Sequence, residues 1–442
     1  MTTASTSVLT TRDPALEPIR EKVLAGQRLT MADGELLYQT HDIWTVCELA
    51  QLVRERLHPG VAYYNINRHL NYSNVCALSC KFCEFYRKKD QPGAYTKNPD
   101  QIRAEARKAV ELGATEMHIV GGLHPYLPWS YYPELLRTIH DEAPGLHLKA
   151  FTAVEIVHLA KIARKYSRSD RRAGIRAVLE ELKDAGLGSI PGGGAEVFDD
   201  RVHDQAFKGK IRSDEWLDVH LVAHELGLNS NATILYGHID QRRERLVHMA
   251  ILRRAQDQAL ARLGYAGEDH PHDPGTDGIH AIDTIGAPVV TLTRPGAPLP
   301  TPEVAAERGG YFQTIIPLPF FPDGSELEYL PGPSGLENMR TLAIARLMLD
   351  NFPHVKAFWI MQTLSMAQLM LQHGADDIDG TVVWYDITKV PQGASPDEPT
   401  HQEVTVWDLQ KAIVEAGFEP VERDTLYRRV VRQGATWRAL PG

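Results

Sequence analysis

Cysteine is scarce in this 442-residue chain: there are four, and three of them fall within eight residues. So few cysteines exclude a disulfide-stapled scaffold. Long apolar runs are missing as well. No stretch approaches the ~18 apolar residues that a membrane-spanning helix needs. The N-terminal MTTASTSVLTTRDPALEP has no basic region followed by an apolar one, so no secretory signal is expected. The compartment expected by default is the cytoplasm, where thiols stay reduced and clustered cysteines serve as metal ligands or catalysts. Positive charge is in deficit too: 47 Lys and Arg against 57 Asp and Glu give a net charge of −10. Nucleic acid needs clustered positive charge, so neither nucleic acid nor membrane is an expected partner. What is present is a 43% hydrophobic composition, enough for one large α/β barrel with extra segments or for two domains.

Short apolar runs alternate with longer helical patterns. The expected strands are Val61–Asn67, Glu116–Val120, Leu146–Phe151, Leu187–Ile190, Leu228–Leu235, Phe312–Ile316, Val355–Ile360 and Gly380–Trp384. Helices of 10–15 residues fall between most of them. Such alternation implies right-handed βαβ units, and eight units imply a closed (β/α)8 barrel of the TIM type. The expected division is an N-terminal helical extension over 1–58, the barrel over 59–390, and a C-terminal helical extension over 391–442 packed on it. One stretch breaks the rhythm. Gly264–Gly310, rich in Gly, Pro, His and Asp, is an insertion before strand six, read as an inert surface loop rather than a lid. His270, His272 and Asp273 within it are read as part of a solvated loop, in preference to a second metal site.

The segment NYSNVCALSCKFCEFYRKK carries Cys76, Cys80 and Cys83 in a C-x3-C-x2-C pattern, in a loop after the first strand. Full ligation of a four-iron cubane takes four thiolates. Three from one loop leave an iron open to a small molecule. The alternative is zinc, but structural zinc sites pair two short ligand units a dozen or more residues apart, and no second unit is present. Cys47 fits the apolar face of a helix near Ile43–Leu57 and reads as a core residue.

At these residues the chain resembles the radical SAM superfamily, whose signature is C-x3-C-x-aromatic-C, with Phe82 in the aromatic position. The resemblance implies a [4Fe–4S] cluster that binds S-adenosylmethionine (SAM) and reduces it by one electron. MHIVGGLHP is similar to the glycine motif after strand two of that superfamily, which makes Gly121 and Gly122 candidates for SAM binding. Leu123 stands where an acidic residue is usual. GSIPGGGAEVFDDRV presents Glu196, a candidate for the SAM ribose or amino group. The segments HIVGGLHPYLP, LHLKAFTAVEI, PGGGAEVFDDRV, EWLDVHLVAHELGLNSNATILYGHI and GADDIDGT together resemble the aminofutalosine synthase family of the futalosine route to menaquinone. The Gly264–Gly310 insertion and a long Ala163–Gly174 segment depart from that family's pattern.

The narrower resemblance implies that the adenosyl radical adds to the enol ether of 3-[(1-carboxyvinyl)oxy]benzoate. Rearrangement and decarboxylation then yield aminodeoxyfutalosine, so SAM is a co-substrate. It also implies a one-electron reductant such as flavodoxin or ferredoxin. A substrate with two carboxylates calls for cationic and polar groups at the barrel mouth. Lys149 and His238 are the candidates for catalysis, and Asn67, Thr152, Tyr236 and Asp376 for substrate binding. The alternatives are a related radical SAM cyclase, of the cyclic dehypoxanthine futalosine synthase or deazaflavin synthase kind, and a zinc-stabilised barrel without catalysis.

Overall fold

The computed structural model describes residues 11–268, 273–283, 286–381 and 404–441. The first barrel strand runs in two pieces, β1 (Val61–Asn65) and β2 (Asn67–Asn71). It is followed by β3 (Glu116–Val120), β4 (His147–Ala150), β5 (Ser189–Ile190), β6 (Asn229–Tyr236), β7 (Phe312–Pro319) and β8 (His354–Val355). β2 to β8 form one parallel sheet in chain order, as right-handed crossovers dictate. β9 (Asp377–Gly380) closes the ring. It bridges β8's continuation at Lys356↔Asp377 and pairs with β1 at Tyr63↔Asp377 and Asn65↔Gly380. The fold is thus the expected α/β barrel of the TIM type.

Helices cover the outside because each buries an apolar stripe on the strands. Local sequence sets their starts. Asn98 and Gln101 form a capping box ahead of Pro99–Glu111, and Thr152 and Glu155 form another ahead of Ala153–Ile162.

Several boundaries differ from expectation for physical reasons. The eighth strand is Asp377–Gly380, not Gly380–Trp384, because its acidic residues are buried against Lys356 and Arg423. Residues 382–384 lie outside the described chain. Beyond the helix Val406–Glu415 the C-terminal segment is not helical but forms β10 (Glu419–Glu422), β11 (Val430–Gln433) and β12 (Thr436–Ala439). β10 pairs in parallel with β1 and brings Arg423 beneath the barrel.

The described residues of the insertion do not form an inert surface loop, and none of them lines the cavity at the barrel mouth. Its described part packs at the end of the barrel opposite the strand C-termini. Val290, Leu292, Ala305 and Tyr311 form a small core with Ala259, Leu260 and Leu263. Leu292 N–H donates to the Asp350 carbonyl at 2.9 Å, and Arg28 joins Asp257, Asp350 and the Val290 carbonyl. His270 and His272 lie outside the described residues. The Asp273 carboxylate accepts from Met31 N–H at 2.9 Å and from Gly275 N–H at 3.1 Å, as a cap does.

Candidate active site

The barrel encloses a cavity of about 340 Å³ that opens at the strand C-termini. Its rim is the loop after β2. Cys76 N–H donates to the Arg87 carbonyl at 3.0 Å and Ala77 N–H to the Leu123 carbonyl at 2.9 Å. The Lys88 ammonium donates to the carbonyls of Cys76, Ala77 and Leu78 at 3.0–3.3 Å. These bonds hold the loop without using the thiols. All three thiols line the cavity. Cys76 Sγ accepts from the backbone N–H groups of Leu78 and Leu123, both at 3.4 Å. Burial pushes the Cys80 thiol up to about 11 and raises that of Cys83. Their thiolates therefore need a cationic partner, which a metal centre supplies.

Among the described residues, only His58, His354 and Asp376 bring three ligand atoms within 4.8 Å of one another, so the three Sγ atoms do not all lie that close. A cubane would bind each thiolate at a different iron. Cys47 is buried in the helix Ile43–Leu57, its thiol pushed up to about 12, and does not line the cavity.

Gly121 and Gly122 also line the cavity, and the structure shows why both lack a side chain. A Cβ on Gly122 would lie 2.4 Å from the Val75 carbonyl oxygen, and one on Gly121 2.6 Å from the Tyr72 ring. Their close approach is thus to the cysteine loop itself. Gly121 N–H donates to Glu155 at 3.0 Å. Glu155, which the motif reading missed, also accepts from the Tyr72 hydroxyl and from the Thr152 hydroxyl and N–H, each at 2.8 Å. Burial pushes it up to about 7 from its ordinary 4.5. A carboxyl raised in the folded state stabilises the protein below its unfolded value, and that stability is lost as the pH rises through the folded one. Glu155→Gln is therefore expected to flatten the fall in urea midpoint between about pH 4.5 and pH 7. An unchanged slope in the variant would contradict the assignment.

Glu196 sits at φ +49° and pairs with Lys210. The Lys210 ammonium lies 5.4 Å from the Phe82 ring centre, and Phe82 faces the cavity.

Deeper in the barrel the wall changes character. Val120, Leu235, Ile316, Leu318, Phe358 and Met361 make an apolar belt. Beneath it lie two ion pairs, Lys149–Glu116 and Lys356–Asp379, each at 2.7 Å. His69 and His118 stack there with ring centres 4.6 Å apart. Burial lowers His69 to about 4 and His118 well below its ordinary range, so both are neutral at pH 7. Asn67 also lines this part, whereas Thr152 lines the cavity beyond the end of β4.

Ten of the thirteen expected site residues thus share one cavity, and three do not line it. Tyr236 points out of the barrel, because Asn231, Thr233 and Leu235 on the same strand point in and side chains alternate. Its hydroxyl donates to Asn338 at 2.9 Å. His238 is packed behind Phe82, their ring centres 6.5 Å apart, with Nε2 on the Leu235 carbonyl at 3.0 Å. Asp376 is fully buried, pairing with Arg346 and with His354 Nδ1 at 2.6 Å. That network is not metal-like, since the Arg346 guanidinium already neutralises the carboxylate and His58 Nε2 lies 2.8 Å from the Pro353 carbonyl. Sequence signals existed for two of the missed groups. Thr-x-x-Glu at Thr152–Glu155 is a capping box, and Lys356 interrupts the apolar VKAFW run.

A parallel barrel with three thiols on one rim loop, at the mouth of its cavity, offers three ligands to a metal centre beside a small-molecule site. Comparisons with known proteins agree. Residues 70–250 match the family model for the radical SAM superfamily, and residues 309–434 that for the CofH/MqnC C-terminal region. The aminodeoxyfutalosine synthase of Thermus thermophilus is 39% identical over 95% of this chain and 97% of its own. That of Streptomyces coelicolor is 38% identical over 92% of each. A 5-amino-6-(D-ribitylamino)uracil–L-tyrosine 4-hydroxyphenyl transferase from Methanopyrus kandleri is 31% identical over 92% of this chain and 93% of its own. In fold, methylornithine synthase superposes with a TM-score of 0.62 at 15% identity, covering 91% of this chain and 97% of that one. The chain belongs to the radical SAM superfamily, whose members carry a [4Fe–4S] cluster and use SAM, and within it to the branch of the aminodeoxyfutalosine synthases. It is therefore an enzyme. No helix among the described residues is long and apolar enough to cross a membrane.

Proposed function

We propose that this enzyme joins the adenosyl group of SAM to the enol-ether carbon of 3-[(1-carboxyvinyl)oxy]benzoate. A carboxyl carbon is lost, and the product is aminodeoxyfutalosine, a precursor of menaquinone. The observation that carries the reading is the likeness to two relatives named for that product, which extends over nearly the whole of each chain. The cavity supports it, because an aromatic acid needs both an apolar belt and buried cations.

Cys76, Cys80 and Cys83 hold the cluster in this reading. When bound, it supplies the electron that cleaves the sulfonium bond of SAM. Gly121, Gly122, Glu196 and Phe82 flank the SAM site, and Glu155 fixes Gly121. Asn67, Thr152 and Lys149 face the substrate. The closed barrel excludes water and stray hydrogen donors from the radical. The electron comes from a flavodoxin or ferredoxin, and the enzyme works in the cytoplasm.

The test is an anaerobic incubation of reconstituted enzyme with SAM, dithionite and the enolpyruvyl benzoate, followed by mass spectrometry. Aminodeoxyfutalosine is the expected product. Its absence, with SAM cleaved and the benzoate left without an adenosyl group, would refute the reading.

A further inference from the structure

The cavity floor contains more charge than the fold requires. His69, His118 and Lys149 stand in register on β2, β3 and β4, two residues short of Asn71 and Val120 at the strand ends or one short of Ala150. Asn67 and Glu116 form the next row down. Lys356 follows β8, so it approaches from the seventh strand position of the ring while Lys149 comes from the third, on the facing wall. Both side chains are 4% exposed, and both line the cavity.

Burying two ammonium–carboxylate pairs costs desolvation that apolar side chains of similar volume would avoid. Stability alone does not explain them. Each ammonium has three donors, and the bond to its wall carboxylate uses one. The two lysines also repel each other across the cavity, which helps pull Lys149 below its ordinary range after burial itself. A ligand carboxylate between them would accept from both and relieve that repulsion. Arg423 under the floor lies 2.6 Å from Asp377 and 3.9 Å from Asp379, so Lys356 is not the sole counter-ion of Asp379. Directly above is the apolar belt, with the parallel imidazoles of His69 and His118 beside it.

We propose that Lys149 and Lys356 form a carboxylate clamp at the cavity floor, binding the ring carboxylate of an aromatic acid whose reactive end points to the thiol loop. The assignment of the ring carboxylate rests on the function proposed above. In that substrate the second carboxylate is attached to the reacting double bond and must travel with it to the mouth. The ring carboxylate is the only other anionic group, and it lies at the far end. Lys356 then acts in binding and orientation, touching substrate but not the bond that forms.

The experiment compares 3-[(1-carboxyvinyl)oxy]benzoate with its ring carboxamide, which has the same shape, double bond and second carboxylate but no ring charge. Both are titrated calorimetrically into the reconstituted, SAM-loaded, full-length enzyme, and KM is measured for each where turnover occurs. The acid is expected to bind about 30-fold more tightly than the amide, the range for charge-assisted hydrogen bonds. Lys356→Met alone leaves Asp379 with only the more distant Arg423 and risks the fold, so the informative variant is Lys356→Met with Asp379→Asn. Lys149→Met with Glu116→Gln is its counterpart. Each is expected to abolish the preference for the acid by raising its dissociation constant and KM. Equal binding of acid and amide by the parent, or full preference retained in both double variants, would overturn the clamp. Failure of the reaction reading would look different: neither compound would accept the adenosyl group, yet the calorimetric preference would still report on the clamp.

Discussion

Replacing Cys80 by alanine is expected to abolish bound iron, bound sulfide and SAM cleavage together, while the barrel stays folded. The loop explains why the loss is complete. Its three thiols are the only cysteines facing the cavity, and no fourth stands by to substitute. With one removed, two thiolates cannot hold a cubane that three protein ligands already hold incompletely. The loop itself is fixed by Lys88, by the Arg87 carbonyl and by the Leu123 carbonyl, none of which depends on the Cys80 side chain. Circular dichroism and thermal midpoint are therefore expected to change little. Cys47→Ala is the control. That thiol is a core group, so its variant keeps full iron and activity and loses on the order of 1 kcal/mol of stability. A Cys80→Ala protein that retains cluster colour and SAM cleavage would remove this residue from the site. A parent protein that stays colourless after anaerobic reconstitution and binds stoichiometric zinc would remove the cluster.

The second large effect is on stability. Arg346→Met is expected to cost about 3–5 kcal/mol, the usual loss when one partner of a buried ion pair is deleted. Arg346 and Asp376 are both wholly buried. The guanidinium also donates to the Gly374 carbonyl at 2.9 Å, so it ties the turn before β9 to the helix Gly335–Met348. Without it the Asp376 carboxylate keeps only His354, His58 and the Val355 N–H, and burial disfavours the charged form of both imidazoles. Arg346→Met with Asp376→Asn should recover part of the loss, because no lone charge remains inside. Urea unfolding of the apoprotein measures both. The catalytic constants of the folded fraction should be unchanged, which separates this role from the substrate contact expected of Asp376. A loss below about 1 kcal/mol would contradict the account, as only exposed pairs are worth so little.

Asp376 also shows where sequence reading ends. Strand positions, the cysteine loop and the glycine pair were legible because spacing alone specifies them: C-x3-C-x2-C fixes one loop, and glycine marks a backbone contact. Direction was harder. Tyr236 and Asn231 lie on one strand five residues apart, and only the parity of the pleat sends one outward and the other into the cavity. Asp376 and Asp379 are three residues apart, yet the first pairs beneath the barrel and the second lines the floor. Partners from distant segments decided both cases, Arg346 for one and Lys356 for the other. The Gly264–Gly310 insertion misled for a related reason. Its Gly- and Pro-rich composition reads as a loop, but Val290, Leu292 and Ala305 find a core with the end of the helix Arg242–Arg262 that local sequence does not announce. The C-terminal strands were hidden likewise, since β10 is defined by pairing with β1 from the far end of the chain.

The central claim is that the adenosyl group of SAM ends in the product. The direct measurement supplies SAM labelled in its adenine ring, a chemical reductant and 3-[(1-carboxyvinyl)oxy]benzoate under anaerobic conditions, and follows the label. The account predicts that the label leaves SAM in step with methionine release and appears in aminodeoxyfutalosine, with one adenosyl group retained per substrate consumed. Label recovered wholly as free 5′-deoxyadenosine while the benzoate is consumed would contradict it, because the radical would then abstract hydrogen instead of adding to the double bond.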